Sequence, residues 1–220
     1  MLTVQAIDTF YGETQVLFGV LGPNGSGKTT TLRSILGLTP ARQGTITFCN
    51  RDVTRLPTHE IARAGVGWVP DDRRVFPTLT AARNLSIARK KSPFRGYDEE
   101  ACCEIFPALK HLLPRECENM SGGELQMVSI SRALVGAPGL MLFDEPSQGL
   151  APKVVQDVMR TVVKLKSTGV ACLVVDQNVR TVLDIADRVY VLHGGRVIHE
   201  GSGAALREDA AARLNLGLAA

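Results

Sequence analysis

The stretch Gly22-Pro-Asn-Gly-Ser-Gly-Lys-Thr-Thr30 constrains this chain more than any other. It follows the pattern G-x-x-x-x-G-K-[ST], with an apolar run before it (Val16–Leu21) and a helix-forming run after it (Thr31–Leu36). Gly22, Gly25 and Gly27 let the backbone turn tightly enough for its N–H groups to face an anion. The helix that follows points its positive end at the same spot. Lys28 is placed to reach the β- and γ-phosphates of a nucleotide, and the Thr29 hydroxyl is an oxygen ligand for Mg²⁺. Gly22, Pro23, Asn24, Gly25, Ser26, Gly27, Lys28, Thr29 and Thr30 together form the predicted phosphate cradle. A glycine-rich turn without nucleotide is the competing reading, but it leaves the strand, the lysine and the threonine coinciding by chance.

The rest of the chain repeats the same alternation of short apolar strands and amphipathic helices, which predicts an α/β fold with a mostly parallel sheet. Leu140–Phe143 and Cys172–Val175 are continuous apolar runs, as expected of strands covered on both faces. Between them Pro152–Ser167 reads as a helix. Pro152 suits its first turn, Val154, Val155, Val158, Val162 and Leu165 form a stripe, and Gly169 ends it. Arg188–Glu200 reads as a hairpin turning at Gly194-Gly195. Residues 78–135 are helical in pattern and read as an insertion between strands. The 220 residues are enough for a single domain with one sizeable core.

A second polar feature lies at the end of an apolar strand, in Leu140-Met-Leu-Phe-Asp-Glu-Pro146. Open α/β sheets bind ligands at such strand ends. Asp144 is predicted to hold Mg²⁺, and Glu145 to act as general base toward an attacking water. Taken alone, the pair is also compatible with a turn carrying solvated acids. The guanine-reading pattern N-K-x-D is absent, which weakens a GTPase reading.

Composition narrows the remaining classes. A net charge of +3 is too small to argue for nucleic acid. The apolar runs are far too short for a membrane span, and the N-terminus lacks the basic start and long apolar core of a signal peptide. The cysteines form no C-x-x-C pair and the histidines have no metal-ligand spacing, so reduced thiols in a cytoplasmic protein are expected.

Met120-Ser-Gly-Gly-Glu-Leu-Gln126, shortly before the acidic strand, resembles the signature motif L-S-G-G-x-x-Q of ABC ATPases. With the glycine-rich loop and the Asp-Glu pair in the family's order, the resemblance spans essentially the whole chain. It implies a P-loop NTPase core, a small N-terminal antiparallel β part and an inserted helical subdomain. It also implies ATP and Mg²⁺ as ligands. Ser121, Gly122 and Gly123 open a helix whose apolar face is read as Met127, Ile130 and Leu134. The N–H groups and hydroxyl at that start can grip a γ-phosphate, although the same residues are also an ordinary helix cap. In the family that phosphate belongs to the opposite subunit, so a head-to-tail dimer with itself or a sister ATPase is implied. Tyr11 is similar to the aromatic that stacks on adenine, with a plain core aromatic as its rival.

Two positions depart from the general ABC pattern. Asp71 stands where the loop after Val69-Pro70 usually carries Gln, and Gln177 where a His usually follows Val175-Asp176. Gln177 can orient a water but cannot change charge near neutral pH, and Asp71 can approach Mg²⁺ through water. The pairing resembles the ATPase subfamily of branched-chain amino-acid importers, with urea and amide importers as the alternative. The segment between Tyr11 and Lys28 is about 12 residues shorter than in the family, room for two short strands and a turn. Val16–Leu21 is therefore expected to serve as the strand feeding the loop, with one antiparallel strand lost and Tyr11 farther from adenine. A nucleotide-binding but weakly hydrolysing subunit stays open on that ground.

The resemblance further implies integral-membrane permease partners, an indirect link to a periplasmic binding protein, and a position on the inner face of the cell membrane. No nucleic-acid partner is expected. Arg73, Arg74, Arg89, Lys90, Lys91 and Arg95 are read either as a solvated basic face or as part of the permease-facing surface. On the second reading, charge reversal at both Arg73 and Arg74 is expected to uncouple transport while sparing basal hydrolysis.

Overall fold

The computed structural model describes residues 17–218. In chain order they form β1 (Leu17–Leu21), α1 (Lys28–Ile35), β2 (Thr47–Phe48), β3 (Arg51–Asp52), α2 (Thr58–Arg63), β4 (Val66–Val69), α3 (Ala81–Ser86), α4 (Glu99–Ile105) and α5 (Leu109–Leu112). A 3-10 turn at Cys117–Asn119 leads to α6 (Gly122–Val135), β5 (Leu140–Asp144), α7 (Pro152–Ser167), β6 (Ala171–Val175), α8 (Val179–Ile185), β7 (Arg188–His193), β8 (Arg196–Ser202), α9 (Gly203–Glu208) and α10 (Ala210–Asn215). The chain divides into two compact units, one of residues 17–62 with 172–218, the other of residues 63–171.

In the first unit β1 lies between β6 and β7 and runs parallel to both, with Val20 opposite Val175 and Tyr190. Four of the five β1 residues are buried and the fifth half-buried, which is why its sequence Leu-Phe-Gly-Val-Leu is apolar throughout. Gly19 is needed for packing: a Cβ there would lie 2.3 Å from Val182 Cγ1 on α8. Asp187 fixes the start of the strand, its carboxylate accepting a hydrogen bond from the Leu17 N–H at 2.7 Å. The expected hairpin is present: β8 pairs antiparallel with β7, and both Gly194 and Gly195 have positive φ, as a tight two-residue turn requires. β2 and β3 form the small antiparallel part among the described residues, with Thr47 opposite Asp52. The shortened run before the glycine loop does supply the strand, as β1.

In the second unit β4 and β5 pair in parallel, and all five residues of β5 are buried. α7 has the expected bounds, with Pro152 at its start and Val158, Met159, Val162 and Leu165 buried. Val154 at its first turn is half-buried and packs on Gly123, where an added Cβ would come within 2.9 Å of it. The buried face of α6 differs from the predicted stripe. Ile130 and Leu134 are buried, but Met127 is half-buried, and Gln126, Val128, Ser129 and Ser131 lie inside instead. The buried polar groups have work elsewhere in the unit, described below for Gln126 and Ser129. Asn84 on α3 brackets the preceding loop, accepting from Phe76 N–H and donating to the carbonyls of Phe76, Leu79 and Thr80. No described helix is long and apolar enough to cross a membrane.

Candidate nucleotide-binding and hydrolysis site

The glycine loop leaves β1 at its carboxyl end. Its two sides are held by the β7–β8 hairpin: Gly195 N–H donates to the Ser26 carbonyl at 3.0 Å, and a Cβ on Gly22 would meet the Leu192 carbonyl oxygen at 2.2 Å. Only glycine therefore fits at position 22, on steric grounds as well as for its φ of 150°. Gly27 precedes α1 in a left-handed conformation, φ 107°. No side chain caps the first turn of α1 and no acid lies in it. Lys28 is 4% exposed, and its ammonium curls back over the loop, donating to the carbonyls of Gly22 (2.8 Å) and Pro23 (3.1 Å). The Ser26 hydroxyl is buried with no hydrogen-bond partner among the described residues. A buried ammonium, an orphaned hydroxyl and a positive helix end with no acid in its own first turn are the donor set an oligophosphate needs.

Gln177 belongs to the same unit. Val20 and Val175 are paired in register, so Gly22 and Gln177 each stand two residues past the pair, at the same end of neighbouring strands. Gln177 is exposed, beside buried Asp176, whose carboxylate accepts from the Asn178 N–H at 2.9 Å. Asn178 in turn caps α8.

The second unit repeats this placement with acids. Val69 pairs with Phe143, so Asp71 and Glu145 each stand two residues past the pair. Asp144 is 1% exposed and Asp71 is exposed. Glu145 is half-buried with φ 46°, a conformation non-glycine residues seldom adopt and one that clusters at functional sites. Thr29 and Asp144 offer hard oxygen donors, the kind Mg²⁺ takes. Among the described residues no cluster of three or more acidic, histidine or cysteine side chains forms a metal cage.

Ser121 begins α6 as its cap. Its hydroxyl accepts from the Glu124 N–H at 3.4 Å, and the Glu124 carboxylate accepts from the Ser121 N–H at 2.7 Å. Gly122 and Gly123 follow, half-buried. Tyr11 lies outside the described residues.

Arg73, read from sequence only as one of several basic residues, is tied into this unit. Its Nε donates to Gln126 Oε1 and its Nη2 to the Gln148 carbonyl, both at 3.2 Å, and its own carbonyl accepts from the Ser129 hydroxyl at 2.8 Å. Arg74 points the other way, pairing with the Asp72 carboxylate at 2.8 Å and lying over the Trp68 ring at 5.4 Å. The joint reading of Arg73 and Arg74 as one basic face is thereby corrected. The available clue was Gln126, a polar residue on a helix face that must find a partner when buried.

A family model for ABC transporters matches residues 8–148. The high-affinity branched-chain amino acid transport ATP-binding protein BraG of Pseudomonas aeruginosa is 37% identical over 220 residues, covering 94% of each chain. The lipopolysaccharide export system ATP-binding protein LptB of Acidithiobacillus ferridurans is 37% identical over 194 residues, 87% of this chain and 80% of that one. Among solved structures, the dimeric post-hydrolysis state of the ATP-binding cassette MJ0796 bound to ADP and Pi is 26% identical with a TM-score of 0.75, covering 86% of this chain and 85% of that one. The glycine loop and acidic strand end fall inside the matched span, and the chain belongs to the ABC transporter family, as an ATP-binding, ATP-hydrolysing cassette.

Proposed function

We propose that this cassette powers an importer for branched-chain amino acids. The observation that carries the cargo is the near full-length likeness to BraG, set beside LptB, of which a fifth is left unmatched. The Asp71 and Gln177 pairing, in place of the usual Gln and His, supports the same subfamily.

The proposed chemistry follows from the placements above. On binding ATP, Lys28 exchanges the carbonyls of Gly22 and Pro23 for β- and γ-phosphate oxygens. The loop amides and the α1 terminus hold the rest of the chain of phosphates. Thr29 and Asp144 would hold Mg²⁺, with Asp71 as a further acid for it, and the ion would supply charge neutralisation for the phosphates. Glu145 takes the proton of the attacking water, and the Gln177 amide orients that water. Ser121, Gly122 and Gly123 grip the γ-phosphate held by a second cassette, identical or a sister chain. The permease meets the loop Asp71–Phe76, where Phe76 is 50% exposed with the Arg132 guanidinium 5.7 Å from its ring centre. A cassette so attached sits on the inner face of the membrane, linked through the permease to a periplasmic binding protein.

The second reading is a nucleotide-binding subunit with weak hydrolysis, favoured by the short segment between Tyr11 and Lys28. Steady-state hydrolysis by wild type and Glu145→Gln decides between them. The first reading expects the variant to lose about 10²–10⁴-fold in kcat with ATP binding intact; equal rates favour the second. Leucine uptake by a strain lacking the chain, restored by wild type and not by Glu145→Gln, tests the cargo; restoration of outer-membrane lipid export instead overturns it.

A further inference from the structure

We infer that Arg73 is a positioning residue that makes the loop Asp71–Phe76, the signature turn and the turn after Glu145 move as one piece. The inference rests on the ATPase reading above and adds to it a part that no motif of the chain contains.

Arg73 and Arg74 both have positive φ, 62° and 40°. Two such residues in succession are costly outside glycine and persist only when their surroundings hold them. Here the Arg73 N–H donates to the Pro70 carbonyl and the Arg74 N–H to the Asp72 carbonyl, closing the turn. The result sends the two side chains in opposite directions. Arg74 goes to Asp72 and Trp68, both in its own segment.

Arg73 goes to two other segments. Its Nε meets the side chain of Gln126, the fifth residue of α6, and its Nη2 the backbone of Gln148, three residues past Glu145. Its Nη1 lies over Gly122, where an added Cβ would sit 3.5 Å from it. The Ser129 hydroxyl fastens the Arg73 backbone from the next turn of α6. Gln126 is 2% exposed, so the bond from Arg73 satisfies an amide oxygen that is otherwise buried away from water. Its Nε2 has no partner among the described residues, and its Oε1 accepts from Arg73.

One planar fork thus joins the loop that carries Asp71, the helix start that carries Ser121–Gly123, and the turn that follows Glu145. A displacement of any one must be shared by the other two or must break a bond. Lysine does not reproduce this: its ammonium donates from a single atom, whereas the planar guanidinium holds donors at fixed, separated positions. The nucleotide cradle of residues 22–30 is not among the segments joined. Loss of Arg73 should therefore spare the first grip on ATP and damage closure and turnover.

The experiment uses the full chain as wild type, Arg73→Ala, Arg73→Lys, Gln126→Ala and the Arg73→Ala/Gln126→Ala double variant. Affinity for a fluorescent ATP analogue, kcat, KM and thermal midpoint are measured. ATP-driven dimerisation is followed separately in a Glu145→Gln background. In Arg73→Ala, affinity is expected within about twofold of wild type, with kcat down about 10-fold or more and dimerisation needing about 10-fold more ATP. Arg73→Lys is expected to recover less than about threefold, and the double variant to be no worse than the worse single, because the two residues act through one bond. Hydrolysis and dimerisation within twofold of wild type in Arg73→Ala overturn the inference. Full rescue by lysine does too, since charge alone then suffices. So does loss of nucleotide affinity together with a lowered midpoint, which marks a purely structural role. An inactive wild type sinks the ATPase reading itself, and this inference with it; an active wild type beside an unaffected Arg73→Ala sinks Arg73 alone.

Discussion

The two helices expected to meet phosphate begin in opposite ways. α1 starts from Gly27, with no side-chain cap and no acid in its first turn. α6 starts from Ser121, and its first turn is closed by a reciprocal box in which Ser121 and Glu124 satisfy each other's N–H groups. The Glu124 carboxylate is steadied further by Arg115 at 2.9 Å, which also donates to the Asn119 carbonyl. At α1 the first turn brings no acid of its own to the positive helix end. At α6 a carboxylate already occupies that end. The first is built to bind a phosphate chain by itself. The second holds its own shape, and on the proposed function it adds a grip on a phosphate that another subunit presents. Its hydroxyl bond, long at 3.4 Å, is the member most easily given up.

The largest effect should come from the cradle side. Lys28→Ala removes the one buried ammonium over the loop and is expected to lower kcat/KM for ATP by about 10³-fold or more, with binding of a fluorescent analogue lost. The thermal midpoint should stay near that of wild type, since two carbonyls that had accepted from Lys28 become available to water. Retained tight binding would mean that the contrast between the two helix starts has been drawn at the wrong place.

Ser121→Ala strikes the other helix. It removes a cap worth about 0.5–2 kcal/mol, so the midpoint falls by a few degrees. Affinity of the isolated chain for ATP is expected to be unchanged, while turnover drops about 10-fold. Equal weakening of first binding in both variants would show that the two starts act on one nucleotide in the same way, and the division of labour would fail.

These outcomes also measure what could be read before the fold was known. β1 was legible despite the missing stretch, because an apolar run placed directly before a glycine loop has one place to go. The hairpin at Gly194-Gly195 and the bounds of α7 were legible for the same local reasons: glycines where φ must be positive, a proline where no N–H is needed, apolar residues at helical spacing. Asp71, Glu145, Gly22 and Gln177 were each visible singly. Their equivalent positions past paired strands were not, since register between strands leaves no mark in either segment alone. The face of α6 was misread at Met127 because its buried side includes Gln126 and Ser129, whose reason for being inside is Arg73, some fifty residues earlier. A contact at that separation has no periodicity to betray it.

The smallest effect separates the two helices by pH. The Glu124 carboxyl is held below the usual glutamate range, first by the hydrogen bond from the Ser121 N–H and then by the Ser121 hydroxyl and Arg115. A group depressed in the folded state stabilises the fold above its unfolded pKa, about 4.3. As pH falls, the unfolded chain takes the proton first, and the contribution is lost through the folded value. Glu124→Gln keeps the shape of the box, because glutamine also accepts at this position, but it removes the charge. At pH 7 wild type should exceed the variant by less than about 1 kcal/mol, and the gap should close as unfolding is repeated from pH 5 down to pH 3. α1 has no acid in its first turn, so a variant there, such as Thr30→Ala, should show no closing gap over the same range. A Glu124→Gln gap that stays constant with pH would mean that the carboxylate works by shape alone. The contrast with α1 would then reduce to the presence or absence of a cap.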